Sequence, residues 1–485
     1  MLKKEDIIFL ESNGIKKEKV EEQIKKLENN NNFQELSAAA TVKNGIYVPE
    51  DINTYISLYD RRKDEFDIEK FVPASGAATR MFKRLISFHK EPVLKNLNDG
   101  GFYSVKTTFE EIEKFAFFGE LKKLNVQISG LDDMADKILY SGLNYAHIPK
   151  GLIEFHKYPG ETRTAFEEHI IEAFNLFGEQ DNIKIHFTIS EEFRKGFDAK
   201  LKEIEERSGK KTNICFSYQE RSTDTVAVYE DGNLVREEDG RLLLRPGGHG
   251  SLLQNLNKLD SDFIFVKNID NVIHGDYLGE TIPYKKLLGG ILISLIDKIS
   301  EIFGILTNTP SVGDIKNAVL FLNLKFGAGF TENTTIQELI NFINRPVRVC
   351  AMVKNTGEPG GGPFWVKDSS GKENLQIVEK AQIDLSDPIQ KQIFNDSTHF
   401  NPVDMVCYLK NTEGQKFDLN DFVDKNSFFI TEKTHSGNII KVFEHPGLWN
   451  GSMSDWLTLF VEVPLVTFNP VKELNDLLRK EHQPK

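Results

Sequence analysis

The sequence predicts an α/β protein built on a mostly parallel, doubly wound sheet, and three observations support this fold class. Apolar, β-branched runs alternate along the chain with segments whose apolar residues have helical spacing. Strands that alternate with helices pair in parallel, because each helix carries the chain back across the sheet. The 485 residues are 39% hydrophobic and 27% charged, which is typical of a globular protein. We therefore expect one large domain with appendages, or two domains.

Residues 1–68 are predicted to form an N-terminal helical region. Apolar residues recur there at helical spacing among many lysines and glutamates, and the pattern breaks at Asn13 and Gly14. The segment "KFVPASGAATRMFKRLISF" then predicts a strand, a turn of small residues and a helix. The hydrophilic stretch at about residues 88–144 is predicted to be a helical insertion. Residues 69–485 are accordingly expected to form the main domain, which contains this insertion.

The remaining elements continue the alternation of helices and strands. The segment "EFRKGFDAKLKEIEER" has the spacing of a helix. The predicted strands are "TNICFSYQ", "DFIFVKNID", "RPVRVCAMV", "LQIVEKAQI" and "LTLFVEVPLVTF". The segment "TFNPVKELNDLL" is predicted to be a final helix, with Lys472 in its first turn.

Composition limits the partners and the compartment. A net charge of −13 argues against binding to the phosphate backbone of nucleic acids, which depends on clustered Lys and Arg. The three cysteines, Cys215, Cys350 and Cys407, are dispersed and odd in number, which suits a reducing cytoplasm rather than a disulfide framework. The longest apolar run, Leu287 to Ile296, is far shorter than the ~20 residues that span a bilayer. We expect a cytoplasmic protein that binds neither nucleic acid nor membrane.

Two motifs suggest phosphate binding. In "PASGAATRM" the small residues let the main chain turn tightly and present N–H groups to an anion, and Arg80 is placed to meet phosphate oxygens. Neither the P-loop pattern nor a GxGxxG dinucleotide pattern explains this segment, and a tight helix start is the simpler alternative. Lys150 lies between Pro149 and Gly151, which hold it on a turn. A solvated surface lysine remains the alternative there.

Two further features suggest nucleotide and metal binding. In "RPGGHG" a base or ribose can lie against Gly247 and Gly248, because no side chain intervenes. His249 in the same turn is equally explained as a turn residue. Asp270 ends an apolar strand, and ligands gather at the carboxyl ends of strands in open α/β sheets. A carboxylate there suits Mg²⁺, although a helix N-cap explains Asp270 equally well.

The order of these motifs resembles the UDP-sugar pyrophosphorylases, the superfamily of UDP-glucose and UDP-N-acetylglucosamine pyrophosphorylases. The resemblance is remote and extends over about residues 71–478 in discontinuous pieces, of which "PGGHGSLL", "FVKNIDN" and "FNPVKELNDLL" are the most specific. The whole chain, with "PKGLIEFHKY" and "PGLWNGSMSDWLTLFVEVP", also resembles a family catalogued only as a domain of unknown function. The resemblance implies a GT-A-like, Rossmann-like nucleotidyltransferase fold.

The resemblance also implies roles for individual residues. Arg80, Lys150 and Lys472 would be the catalytic residues that neutralise phosphate charge, and Asp270 would hold Mg²⁺. The nucleotide would be bound by Ser75, Gly76, Ala77, Gln219, Gly247, Gly248 and His249, with Gln219 at the uracil edge. The sugar would be bound by Glu379, Asn401 and Asp404, although Asp404 replaces an expected asparagine.

The first phosphate loop departs from the pattern of the resembled family. Ser75 and Ala78 stand where L-x-G-G-x-G-T-x-[LM] has glycines. If the loop requires a positive φ at either position, the substitution costs about 1 kcal/mol or more and reshapes the loop. This departure leaves open a protein that binds nucleotides without turning them over.

The function implied by the resemblance is that of a Mg²⁺-dependent nucleotidyltransferase. It would form or cleave a nucleotide-sugar from UTP and a sugar 1-phosphate, and release pyrophosphate. The alternatives are a non-catalytic nucleotide or nucleotide-sugar binding protein and, ranked lower, a GT-A glycosyltransferase. The latter needs a DxD-type metal pair, whereas the strand here ends in Ile-Asp-Asn. The sequence leaves the sugar, the base and the oligomeric state open.

Overall fold

The computed structural model describes residues 2–29, 33–91, 100–124, 128–178, 183–209, 211–357, 360–368 and 371–485. The chain divides into two compact units, each formed by three separate stretches of sequence. The first unit comprises Met1–Asp67, Gln219–Ile264 and Leu287–Pro464. The second unit comprises Ile68–Tyr218, Phe265–Lys286 and Leu465–Lys485.

Strands and helices are numbered along the whole chain. The strands in the described residues are β1 (Glu35–Ala39), β2 (Ile46–Tyr47), β3 (Ile68–Pro73), β4 (Glu154–Tyr158), β5 (Glu161–Thr164), β6 (Lys184–Thr188), β7 (Asn213–Ser217), β8 (Thr225–Tyr229), β9 (Leu244–Arg245), β10 (Phe263–Lys267), β11 (Val347–Lys354), β12 (Gly361–Lys367), β13 (Glu373–Glu379), β14 (His399–Phe400), β15 (Asp404–Tyr408), β16 (Phe429–His435), β17 (Asn438–Glu444) and β18 (Leu457–Glu462). The α-helices there are α1 (Lys4–Ser12), α2 (Lys17–Asn29), α3 (Ile52–Arg62), α4 (Lys83–Lys90), α5 (Gly100–Glu110), α6 (Phe118–Lys123), α7 (Leu131–Asp136), α8 (Ala165–Phe177), α9 (Arg194–Ser208), α10 (Leu253–Asn257), α11 (Leu278–Thr307), α12 (Val312–Phe326), α13 (Ile336–Ile343) and α14 (Pro388–Asn395).

The second unit is built on parallel strands in the order β10-β3-β6-β7. β3 pairs in parallel with β6, and β6 pairs in parallel with β7, with α9 connecting the latter two. α8 precedes β6, and the Thr164 hydroxyl accepts a hydrogen bond from the Glu167 N–H at its N-terminus. Aromatic side chains join helices to strands, since the Phe166 ring lies 4.6 Å from that of Phe187 and 5.2 Å from that of Phe197. The carboxyl ends of these parallel strands therefore share one edge.

In the part of the first unit that the structure describes, the strands form three sheets. Its main sheet has the order β2-β18-β11-β15, in which β2, β18 and β11 are parallel and β15 is antiparallel to β11. A four-stranded antiparallel sheet has the order β16-β17-β8-β9, and a three-stranded sheet has the order β1-β12-β13. Leu10, Val20 and Leu27 of α1 and α2 belong to one buried cluster with Val226 and Phe443 of the four-stranded sheet.

The predicted fold class is confirmed at the level of a mixed α/β chain with mostly parallel main strands. The predicted N-terminal helices correspond to α1 and α2, which flank Gly14 at a φ of +73°. Residues 33–67 also form β1, β2 and α3, and the boundary at residue 68 stays a prediction. Within residues 88–144 the structure describes α5, α6 and α7, whereas residues 92–99 and 125–127 lie outside the described residues.

The predicted final α-helix is wrong. The Val471 N–H donates to the Asp270 carbonyl, and Pro470 bridges to Asn271, so this backbone is extended. A short 3-10 segment, Leu474–Leu478, follows, and Lys472 therefore lies before it rather than in a first helical turn. The last predicted strand is also shorter than expected, because β18 ends at Glu462 and a 3-10 turn follows at Leu465–Thr467.

No helix within the described residues combines the length and the apolar character needed to cross a membrane.

Candidate functional site

Lys150 joins three of the predicted motifs in the second unit. Its ammonium lies 2.9 Å from Asp270 Oδ2 and 2.8 Å from the Val471 carbonyl oxygen. Its backbone N–H donates to the Gly76 carbonyl at 3.4 Å, and Pro149 bridges to Ala77. We call Gly76, Ala77, Lys150, Asp270 and Val471 the lysine cluster.

The fold brings the lysine cluster together at the carboxyl edge of the parallel strands. β3 leads into the small-residue loop, and β10 leads into Asp270. The Ile269 N–H donates to the Pro73 carbonyl, which ties the two strand ends together. His169 of α8 lies beneath them, and its Nε2 donates to the carbonyl oxygens of Asn268 and Ile269 at 3.1 and 3.2 Å. The backbone before Asp270 is thereby fixed.

The charges of the lysine cluster suit a phosphate and a divalent cation. The Lys150 and Asp270 side chains are 12% and 21% exposed, so their ion pair is partly shielded and remains accessible. Among the described residues no group of three or more His, Cys, Asp or Glu is arranged to hold a metal ion. Mg²⁺ commonly takes one or two carboxylates together with substrate phosphates. Asp270 fits Mg²⁺ in that way, as a single carboxylate that relies on phosphate oxygens for the remaining ligands.

The small-residue loop is unstrained despite its departures from the family pattern. Neither Ser75 nor Ala78 has a positive φ, so no glycine is required at these positions. The Ala78 side chain is buried and begins a 3-10 turn, whereas Gly76 and Ala77 are exposed. A Cβ atom added to Gly76 would meet no atom within 4 Å. The loop therefore leaves open space above its backbone.

The two other predicted catalytic residues of the second unit are Arg80 and Lys472, which are not members of the lysine cluster. Arg80 is exposed, and its guanidinium has no ion pair with any residue that the structure describes. Lys472 follows Val471 of the lysine cluster and is half-buried, with its ammonium 5.7 Å from the centre of the Phe468 ring. Its backbone N–H donates to Asp476 Oδ2 at 2.8 Å. The backbone of Lys472 thus borders the lysine cluster.

In the first unit the glycine turn packs closely against a second chain segment. Gly248 has a φ of +76°, and a Cβ atom there would lie 2.6 Å from Glu444 Oε2. A Cβ atom on Gly247 would lie 2.5 Å from His445 Cδ2. Close packing therefore requires glycine at both positions, whether or not a ligand binds there. The contact of these glycines with a base stays a prediction.

His249 forms a donor and acceptor pair with Glu379. Its Nδ1 accepts the Leu448 N–H at 3.0 Å, so the proton of the neutral ring is on Nε2, 3.6 Å from Glu379 Oε1. The His249 ring stacks on Trp449, with ring centres 4.1 Å apart. A bound hydroxyl group between Nε2 and Oε1 would find one donor and one acceptor.

Asn401 lies close to this pair. Its N–H donates to the carbonyl of Gly361, and Gly361 pairs with Glu379 in the sheet. Its Nδ2 is buried and has no hydrogen-bond partner among the described residues. Val403 has a φ of +53°, a strained conformation for a β-branched residue and one that tends to occur at functional sites. We call His249, Glu379, Asn401 and Trp449 the histidine cluster.

Two more predicted site residues lie at or near other strands. Asp404 is buried at the start of β15. Gln219 is half-buried shortly after β7. The uracil contact of Gln219 and the sugar contact of Asp404 stay predictions.

Sequence reasoning missed Arg348, which supports the histidine cluster. Its side chain is fully buried, with Nε donating to Thr458 Oγ1 at 2.8 Å and Nη1 donating to the Trp449 carbonyl at 2.7 Å. Burial lowers the pKa of the guanidinium, which nevertheless stays charged. The sequence feature that could have pointed to Arg348 is an arginine inside the apolar strand "RPVRVCAMV". Trp449 was signalled by the glycine-rich segment "HPGLWNG".

His445, beside the glycine turn, was also missed. Burial lowers its pKa to about 4, and its Nε2 donates to the Thr223 carbonyl at 2.8 Å. The imidazole is therefore neutral near pH 7 and serves to hold the turn.

Comparisons with known proteins give one family and several solved structures. A family model described as "Domain of unknown function (DUF4301)" matches residues 3–483. No curated protein sequence matches the chain. UDP-glucose phosphorylase from Trypanosoma brucei is 12% identical with a TM-score of 0.49, over 98% of this chain and 77% of that one. UDP-N-acetylglucosamine pyrophosphorylase from T. brucei, solved with an inhibitor, is 13% identical with a TM-score of 0.47, over 91% and 72%. A putative UDP-N-acetylglucosamine pyrophosphorylase from Entamoeba histolytica is 13% identical with a TM-score of 0.44, over 90% and 82%.

Proposed function

We propose that this chain, which belongs to the family described as Domain of unknown function (DUF4301), is a Mg²⁺-dependent nucleotidyltransferase. It forms or cleaves a nucleotide-sugar from UTP and a sugar 1-phosphate, with pyrophosphate as the other product. The observation that carries the proposal is Lys150, whose ammonium joins the Asp270 carboxylate to the segment that bears Lys472. The proposal extends to a doubly wound, GT-A-like fold.

The reaction needs no nucleophile from the protein. An oxygen of the sugar 1-phosphate attacks the α-phosphorus of UTP in line, and pyrophosphate leaves. Catalysis then depends on positioning and on neutralising charge at the phosphate oxygens. Lys150 and Lys472 supply positive charge, Arg80 adds an exposed guanidinium, and the open space at Gly76 leaves room for a phosphate group beside the backbone. Mg²⁺, held by Asp270 and the phosphates, would supply further charge neutralisation.

The Lys150–Asp270 ion pair suits this chemistry because each of its two charged groups can take a ligand of opposite charge as its new partner. A phosphate oxygen would take the place of Asp270 beside the ammonium, and Asp270 would then be the residue that holds Mg²⁺. Each charged group then keeps an opposite charge, so neither is left desolvated and unpaired.

The histidine cluster supports binding of hydroxyl groups in the first unit. The His249 Nε2–H and the Glu379 carboxylate offer a donor and an acceptor, and the Asn401 amide has an unused buried donor. We propose sugar contacts for Glu379, Asn401 and Asp404, and nucleotide contacts for Gln219, Gly247, Gly248 and His249. The resemblance in sequence is their main support.

The first prediction concerns turnover. Purified protein, incubated with each nucleoside triphosphate and a panel of sugar 1-phosphates in Mg²⁺ or Mn²⁺, is expected to release pyrophosphate. Lys150→Ala and Lys472→Ala are each expected to lower kcat/KM by about a hundredfold or more, because each removes charge stabilisation from the transition state. Lys157→Ala, an exposed lysine of the same unit, is the matched control and keeps full activity.

Absence of pyrophosphate release across the whole panel would refute the proposed nucleotidyltransferase activity. If UTP then still bound in a calorimeter, the chain would be assigned as a nucleotide-binding protein without turnover. Full activity in both lysine variants would refute the roles of Lys150 and Lys472 alone.

A further inference from the structure

A cavity in the first unit shares no residue with the lysine cluster or the histidine cluster. Its volume is about 400 Å³, and its walls come from β2, α3, α11, α12 and β18. This volume lies within the range of roughly 300–1,000 Å³ that is typical of small-molecule sites. At about 30 Å³ per non-hydrogen atom, the share of one water in the liquid, the cavity holds roughly a dozen such atoms.

The cavity has one cation without an acidic partner. Lys325 of α12 is half-buried, and its ammonium lies over the Tyr47 ring, 4.2 Å from the ring centre. Within the described residues no carboxylate lies within ion-pair distance of it, and burial lowers its pKa. A half-buried ammonium beside an aromatic face is stabilised electrostatically when an anion enters the cavity.

The acidic side chains of the wall are already paired. Asp297 forms an ion pair with Arg62, and Glu301 forms an ion pair with Lys298 at 2.7 Å. Arg62 also pairs with Glu65, so both carboxylates of the wall have a basic partner, of which Arg62 is shared. The net electrostatic preference of the cavity is therefore set by Lys325.

Two tyrosines add hydroxyl donors beside the ammonium. The Tyr47 and Tyr55 oxygens lie 3.1 Å apart, so one hydroxyl donates to the other. The hydroxyl that accepts this bond keeps its own hydrogen, which can be donated to a ligand. The lining also includes apolar side chains, among them Leu295 and Phe321.

We propose that this cavity binds a small carboxylate with an aromatic or branched apolar body. The single ammonium matches a single negative charge, and a tyrosine hydroxyl serves the second carboxylate oxygen. The apolar walls cover the body of the ligand. A phosphate dianion would need more donors than the cavity offers. This site is independent of the proposed nucleotidyltransferase.

Isothermal titration calorimetry of the full chain tests the site with three probes of one shape. Phenylacetate is the anion, phenethyl alcohol is neutral, and phenethylamine is cationic. Phenylacetate is expected to bind one per chain, with a Kd about tenfold or more below that of the alcohol, because it gains a charge-assisted contact. Lys325→Met is expected to raise the Kd of phenylacetate by about tenfold and to leave that of the alcohol unchanged.

Lys316→Met, an exposed lysine on the same helix, is the matched control and is expected to bind phenylacetate as the wild type does. Tyr47→Phe tests the hydroxyl contact if the Lys325 variant fails to fold, and is expected to weaken phenylacetate binding. The proposal is overturned if phenylacetate does not bind, if it binds no tighter than the alcohol, or if a folded Lys325→Met chain binds it unchanged.

Discussion

At the scale of single residues, Arg348 is a fully buried guanidinium without a carboxylate partner among the described residues. Burying a charge costs several kcal/mol unless hydrogen bonds compensate. The bonds to Thr458 and to the Trp449 carbonyl supply that compensation, while Nη2 has no partner in the part of the chain that the structure describes. Because Trp449 stacks on His249, Arg348 positions the histidine cluster through a backbone carbonyl.

We predict that Arg348→Lys lowers the free energy of unfolding by roughly 1–3 kcal/mol. An ammonium keeps the buried charge but lacks the planar fork that reaches both acceptors, so one of them is left unsatisfied. Urea unfolding, followed by circular dichroism, measures the change. Arg241→Lys, at an exposed arginine paired with Asp239, is the control and is expected to unfold as the wild type does. Equal stability of the Arg348 variant would contradict this role.

At the scale of elements, helix α8 carries two buried glutamates, one turn apart, whose pKa values shift in opposite directions. Burial raises the pKa of Glu168 to about 7, although a hydrogen bond from Tyr158 opposes the shift. Burial also disfavours ionised Glu172, but the ammonium groups of Lys267, Lys285 and Lys70 outweigh it and hold its pKa well below the usual range. The sequence of α8 alone gives no sign of this difference.

Glu172→Gln is predicted to lower the free energy of unfolding by about 3–5 kcal/mol. The neutral amide would leave three buried ammonium groups, of which those of Lys70 and Lys267 lie 2.8 and 2.5 Å from the carboxylate, without a counter-charge at its position. Denaturant unfolding at pH 7 measures the loss. A loss below that of an ordinary surface substitution would show that the ammonium groups are neutral.

Glu168→Gln is the matched substitution on the same helix, and its effect should depend on pH. A folded pKa of about 7 lies above the unfolded value of 4.5, so the folded wild type holds the extra proton between these pH values. That contribution to wild-type stability is complete below pH 4.5 and is lost as the pH rises through 7. The variant, which mimics the protonated carboxyl, should therefore gain stability relative to the wild type across this window, as measured by unfolding at pH 5 and pH 8.

At the scale of the whole molecule, an acidic chain carries the three basic residues of the proposed phosphate site in one unit. The net charge is −13, yet Arg80, Lys150 and Lys472 all belong to the second unit. The Lys150 ammonium contacts the carbonyl of Val471, the residue before Lys472, although hundreds of residues separate them in the sequence. An acidic chain with a few basic residues at its proposed site is expected to bind a small polyphosphate rather than a long nucleic acid.

UTP with Mg²⁺ is therefore predicted to stabilise the folded chain. A ligand that binds only the folded state adds about 2.7 kcal/mol at a concentration one hundred times its Kd. Thermal unfolding should show a higher Tm with UTP, no such increase in Lys150→Ala, and the wild-type increase in Lys157→Ala. The same shift in all three proteins would place UTP away from Lys150.

The strands and the helix with a clear periodicity were predictable from the sequence. β10 has a continuous apolar run, β11 has an apolar run interrupted by Arg348, and α9 has regular helical spacing, so local pattern sufficed. The final helix was predicted wrongly, because its backbone groups bond instead to Asp270 and Asn271, which are distant in the sequence. Local propensity contains no information about such a partner.

For the candidate site, the sequence by itself determined which residue types were available, and it predicted a ligand at the ends of β3 and β10. Tertiary structure alone decided that the Lys150 ammonium contacts Asp270 and Val471, that His249 faces Glu379, and that Arg348 supports Trp449. The physical reason is that hydrogen bonds and ion pairs form only within a few ångströms. Spacing along the chain determines helices and strands, whereas folding determines which distant side chains come within that distance.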